Sequence, residues 1–95
     1  MDKTHSSIPF PVHISVENSS DTISATTLLK QFIEQASQRY QLTLIAPPSG
    51  THQQADAIIS VPFPHREHIR IDFNIFASDI EDLHGSHFYF HMESA

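Results

Sequence analysis

Histidine is the residue type with the most chemistry to offer in this chain: eight occur among 95 residues, and there is no cysteine. His65 and His68 are separated by two residues, and His84, His87 and His91 form a second group. Imidazole ligates zinc, copper, nickel and iron, and a carboxylate such as Asp72 can complete or orient a ligand set. A metal reading therefore draws on His65, His68, His87 and His91. On an extended strand His87 and His91 share a face but stand roughly 13 Å apart at ~3.3 Å per residue, so one ion would need ligands from two strands. His68 opposite one of them is the more feasible pair.

Catalysis has atoms but no frame. His68 beside Asp72 would make an oriented base. With Gly50 and Gly85 the sole glycines, there is no phosphate-cradling loop, nucleophile elbow or dinucleotide fingerprint. The expectation is a non-catalytic protein with no cofactor.

Two C-terminal segments would position these side chains. In His68–Ile75 the odd residues are apolar and the even ones polar. In His87–Met92, Phe88, Phe90 and Met92 alternate with His87, Tyr89 and His91. Period-two alternation predicts two half-buried β-strands. If they pair, Ile69, Ile71, Phe73 and Ile75 join Phe88, Phe90 and Met92 in the core. His68, Arg70, Asp72 and Asn74 then join His87, Tyr89 and His91 on the opposite face. A helix through 84 to 91 would align His84, His87 and His91, but Gly85 and the alternating aromatics favour extended chain.

Earlier in the chain, residues 1–8 read as a flexible tail and 9–95 as one domain. Val12, Ile14 and Val16 mark a first strand, its polar side beginning at His13. The cap and turn formers Asn18-Ser19-Ser20-Asp21 precede a helix with Ala25, Leu29, Phe32, Ile33, Ala36 and Tyr40 on one stripe. Residues 42–46 make a second strand ended by Pro47-Pro48-Ser49-Gly50, so that strand, helix and strand form a βαβ unit, normally a parallel crossover. Residues 55–61 make a third strand, limited by Pro62 and Pro64. Ser78-Asp79-Ile80-Glu81 fits a capping box that opens a short helix over 79–84, with Gly85 as its C-terminal cap. The order β-α-β-β-β-(short α)-β predicts an α+β two-layer sandwich: one main helix on a mixed, mostly antiparallel sheet of about five strands. Its core comprises Val12, Ile14, Val16, Leu29, Phe32, Ile33, Leu42, Leu44, Ile59, Val61, Ile69, Ile71, Phe73, Phe88 and Phe90.

Eleven acidic against five basic residues give a net charge of −6. That sign disfavours direct contact with a phosphate backbone. Protonating all eight histidines would bring −6 + 8 = +2, so the net charge can change sign on acidification. The first residues lack an apolar signal region, no run is long enough to span a membrane, and a cytoplasmic setting is expected. Asn18-Ser19-Ser20 matches a glycosylation sequon that has no secretory context.

These features point to a small acidic module that acts by stoichiometric association with another protein, as an inhibitor, an immunity or antitoxin protein, an anti-defence protein or an adaptor. The expected contact surface is His68, Arg70, His87, Tyr89 and His91, with Asp79, Glu81 and Asp82 as an electrostatic accessory. A homodimer through a sheet edge, on the first, third or C-terminal strand, is the accompanying expectation.

Overall fold

The computed structural model describes residues 8–19, 23–85 and 87–95. The proposed tail lies almost wholly outside them, as do Ser20 and Asp21. β1 (Pro9–Asn18) turns Val12, Ile14 and Val16 into the core, as its alternation requires. α1 (Ala25–Ser37) follows, with Ala25, Leu28, Leu29, Phe32, Ile33 and Ala36 buried on one stripe. Its N-cap is Ser24, whose hydroxyl accepts from the Thr27 N–H at 3.1 Å. Asn18, expected in the turn, is instead the last residue of β1 and is buried. Its side-chain amide donates to the carbonyls of Ile23 (3.2 Å) and His52 (2.9 Å), tying two connecting segments to the strand end.

β2 (Thr43–Gly50) runs through Pro47 and Pro48, where the sequence suggested a stop. Both steps of its ladder with β3 (Gln54–Pro62), from Leu44 to Ala46 and from Ala46 to Ser49, insert one extra residue on β2. These bulges leave the prolines outside the paired positions, and β2 is an edge strand, where a missing N–H costs little. Gly50 closes the hairpin at φ 142°, and a Cβ there would collide with the Gln54 carbonyl.

The main correction concerns residues 68–75. A single 3-10 turn (Phe63–His65) leads directly into α2 (Arg66–His84), 19 residues long, in place of a strand and a separate short helix. Its buried residues are Ile69, Phe73, Phe76 and Ile80, spaced four, three and four apart, which is one face of a 3.6-residue period. Ile71 and Ile75 are 52% and 54% exposed on the opposite side. Ser78 is mid-helix and caps nothing, since the N–H groups beyond it already have carbonyl partners one turn back. Gly85 does cap the helix: φ is 91°, and its N–H donates to the Glu81 carbonyl at 2.8 Å.

β4 (Phe88–Ser94) completes a four-stranded sheet of order β2-β3-β1-β4 with three antiparallel ladders. β1 and β2 are both antiparallel to β3, so they run parallel with β3 between them. The expected crossover thus spans a strand, giving the split β-α-β arrangement of ferredoxin-like folds. The α+β sandwich is as expected, with four strands where five were predicted and with two full helices. Leu42, Phe88 and Phe90 pack at the core margin, whereas Leu44 and Ile71 are exposed.

Helix and strand readings of 68–75 differ in which substitutions hurt. Phe73→Ala should cost about 3 to 5 kcal/mol, while Ile75→Ala should change stability by less than about 0.5 kcal/mol. Chemical denaturation of the two variants checks this, and equal losses would restore the strand.

Candidate functional site

Directly opposed residues of an antiparallel pair project on the same side. With Val12, Ile14 and Val16 turned to the helices, the other sheet face carries three rows across β3, β1 and β4: Ile58–His13–Glu93, Asp56–Ser15–His91 and Gln54–Glu17–Tyr89. Within this surface His13 Nε2 lies 3.3 Å from Asp56 Oδ2, and its Nδ1 lies 3.6 Å from Glu93 Oε2. The other oxygen of Glu93, Oε1, lies 3.4 Å from His91 Nε2. Carboxylate and imidazole therefore alternate over three strands in the order Asp56, His13, Glu93, His91. The Asp56 contact is at hydrogen-bond distance, with the tautomer of His13 setting the donor, whereas the Glu93 contact at 3.6 Å is an ion-pair separation only. Tyr89 is 59% exposed at the next row and stacks near His91, with ring centroids 6.2 Å apart.

The cations are segregated, whereas carboxylates lie on both layers. Lys30, Arg39, Arg66 and Arg70, the four cations among the described residues, lie on α1, α2 or the turn after α1. The uncovered sheet face has none, and carries Glu17, Asp56 and Glu93.

The predicted contact surface is divided between the layers. Tyr89 and His91 are on the open face, as their alternation implied, and His87 precedes β4. His68 and Arg70 are on α2, across the sheet from Tyr89 and His91. Arg70 pairs with Glu67 at 2.8 Å, and this contact holds the Glu67 carboxyl below its ordinary range. Asp79, Glu81 and Asp82, expected at a helix start, occupy the last two turns of α2, where the helix dipole does not favour anions. The metal reading fares likewise. Sixteen residues of helix separate His68 from His84, about 24 Å at 1.5 Å per residue, so His65 and His68 sit at one end of α2 and His84 and His87 at the other. Among the described residues no group of three His, Cys, Asp or Glu side chains is placed to hold a metal ion.

Asp72 serves a different purpose from orienting a base. It accepts from Tyr40 Oη at 2.5 Å and from Arg39 Nη1 at 3.1 Å, joining the C-terminal end of α1 to α2. Burial, then the hydrogen bond to Asp72, push the Tyr40 phenol up to about 12. His65 packs beside Tyr40 and His68, with ring centroids 5.3 and 5.9 Å away, and its buried Nδ1 has no partner among the described residues.

Sequence reasoning missed Asp56 and Glu93 as members of the open-face group. Their alternation was visible, but that β1 lies between β3 and β4 was not. No protein-family model matches the chain, and no curated protein matches it. Among solved structures, a chain titled "De novo designed protein Foldit4" is similar at 11% identity with a TM-score of 0.48, covering 93% of this chain and 99% of that one. A likeness at that level carries no argument.

Tyr40 offers a direct test of the helix junction. Because its folded-state value is raised from 10.0 to about 12, the stabilisation it lends is complete below pH 10 and lost as pH rises toward 12. In a Tyr89→Phe background, the remaining phenolate absorbance should titrate well above that of free tyrosine, and Asp72→Asn should bring it down. Tyr40→Phe should cost about 1.5 to 3 kcal/mol, as expected for a hydrogen bond to a charged group.

Proposed function

We propose that this chain is a non-catalytic protein-binding module whose docking surface is the helix-free sheet face. The partner presents a basic protein surface, and association is stoichiometric, in the manner of an inhibitor, an immunity, antitoxin or anti-defence protein, or an adaptor acting in the cytoplasm. The observation that carries this reading is the sign of that face: Glu17, Asp56 and Glu93 lie on it beside the exposed ring of Tyr89, and among the described residues it carries no lysine or arginine. Tyrosine supplies contact area at low entropic cost, and carboxylates supply steering toward cations. Of the surface read from the sequence, this proposal keeps Tyr89 and His91, leaves out His68, Arg70, His87, Asp79, Glu81 and Asp82, and adds His13, Glu17, Asp56 and Glu93. Among the described residues no helix is long and apolar enough to cross a membrane.

The three carboxylates Glu17, Asp56 and Glu93 give the face a charge of −3, so binding should weaken with rising salt.

The test is affinity capture on the immobilised wild-type chain and on an Asp56→Lys, Glu93→Lys variant, each confirmed folded by circular dichroism. A basic protein held by the wild type, released by moderate salt and lost from the variant is the expected result. A partner retained equally by both chains would place the interface elsewhere.

A further inference from the structure

The two edges of the sheet are treated differently. β2 is blunted by two bulges and by Pro47 and Pro48, devices that discourage pairing with another strand. β4 has none of them. Its seven residues contain no proline, glycine or lysine, and its ladder with β1 runs from Phe88 to Ser94 without a register shift. Among the described residues β4 pairs with β1 alone.

The direction of its backbone groups follows from two hydrogen bonds. The Ala95 N–H donates to the Pro11 carbonyl at 3.1 Å, and the His87 carbonyl accepts from the Ser19 N–H at 3.0 Å. Residues of one parity on a strand aim their N–H and C=O groups to the same side. Odd residues from 87 to 95 thus face β1, and Phe88, Phe90, Met92 and Ser94 face the open edge.

We propose that β4 pairs antiparallel with β4 of a second copy of this chain, making one eight-stranded sheet across a two-fold axis at His91. Centring the axis there pairs the whole strand with itself: Phe88 meets Ser94 of the second copy and Phe90 meets Met92. All four outward-facing residues of each chain then enter the ladder. On the helix side the apolar row continues across the junction, with methionine sulfur against an aromatic ring. A groove of about 320 Å³, lined by Phe10, Arg66, Arg70, Met92 and Ser94 among others, opens where Phe88 of the second copy arrives. On the other side Tyr89 stands opposite Glu93 of the second copy, so no carboxylate faces a carboxylate, and the two His91 residues form a close non-hydrogen-bonded pair. This interface shares Tyr89, His91 and Glu93 with the docking face proposed above and would merge two such faces into one, but it is argued from the free edge of β4 and not from that reading.

The chain has no cysteine, so single substitutions report the register. His91→Cys should give a disulfide-linked dimer under mild oxidation at least about tenfold faster than Glu34→Cys on the exposed side of α1, because paired strands hold the thiols at high effective concentration. Tyr89→Cys and Glu93→Cys should not cross-link alone but should cross-link when mixed. Met92→Pro removes an N–H that faces away from β1, so it should leave the fold intact by circular dichroism and shift wild-type dimer to monomer in sedimentation. Equal rates for His91→Cys and Glu34→Cys would overturn the proposal, as would wild-type monomer throughout or a dimer that persists in folded Met92→Pro.

Discussion

Phe32 of α1 and Phe73 of α2 meet edge to face, with centroids 4.9 Å apart, over the apolar side of the central strands. Phe76 extends the contact to Phe32 at 5.5 Å, and Phe90 of β4 closes on Phe73 and Phe76 at 5.8 and 6.0 Å. One aromatic cluster thus joins three elements far apart in sequence. In a chain of this size without cysteine, such burial supplies most of the stability that offsets chain entropy. Because both helices commit to the same sheet face, no described element covers the opposite one, and both proposed surfaces inherit that asymmetry.

Prolines shape the sheet as much as apolar residues do. Pro9 and Pro11 fall at positions of β1 whose N–H would point toward β4, just beyond the pairs that β4 reaches, since that register begins at Val12 with Ser94. Two prolines are therefore tolerated in a strand that is central for the rest of its length. On β2 the proline pair lies between bulges at the rim. The consequence is an asymmetric sheet, one rim irregular and one regular, and the regular rim is where further strand pairing has somewhere to go.

The misreading of residues 68–75 has a definite physical origin. Ile69 and Phe73 satisfy both periods, being four apart, and Ile71 and Ile75 added an apparent alternation rich in residues that favour strands. Phe76 and Ile80 broke the tie toward helix, because they continue the stripe at seven and eleven residues from Ile69 and cannot continue a period of two. The apparent capping box at Ser78 suggests a helix start at a point where α2 is already running. Tertiary demand decided the matter: a sheet of this width has more apolar surface than α1 can cover, and a second helix with Ile69, Phe73, Phe76 and Ile80 inward supplies the remainder.

Local periodicity alone determined the faces of β1, α1, β3 and β4, because a side chain's direction on a regular element follows from its position in the repeat. Thus Val12, Ile14, Val16, Phe32 and Ile59 inward, and Tyr89 and His91 outward, were legible in the residues themselves. Which strands lie side by side is not a local property, since pairing depends on how loops and helices close over the sheet. The placing of His13 between Asp56 and Glu93, the separation of His68 from His91 and the position of β4 at the end of the described strand order were therefore decided by the tertiary structure.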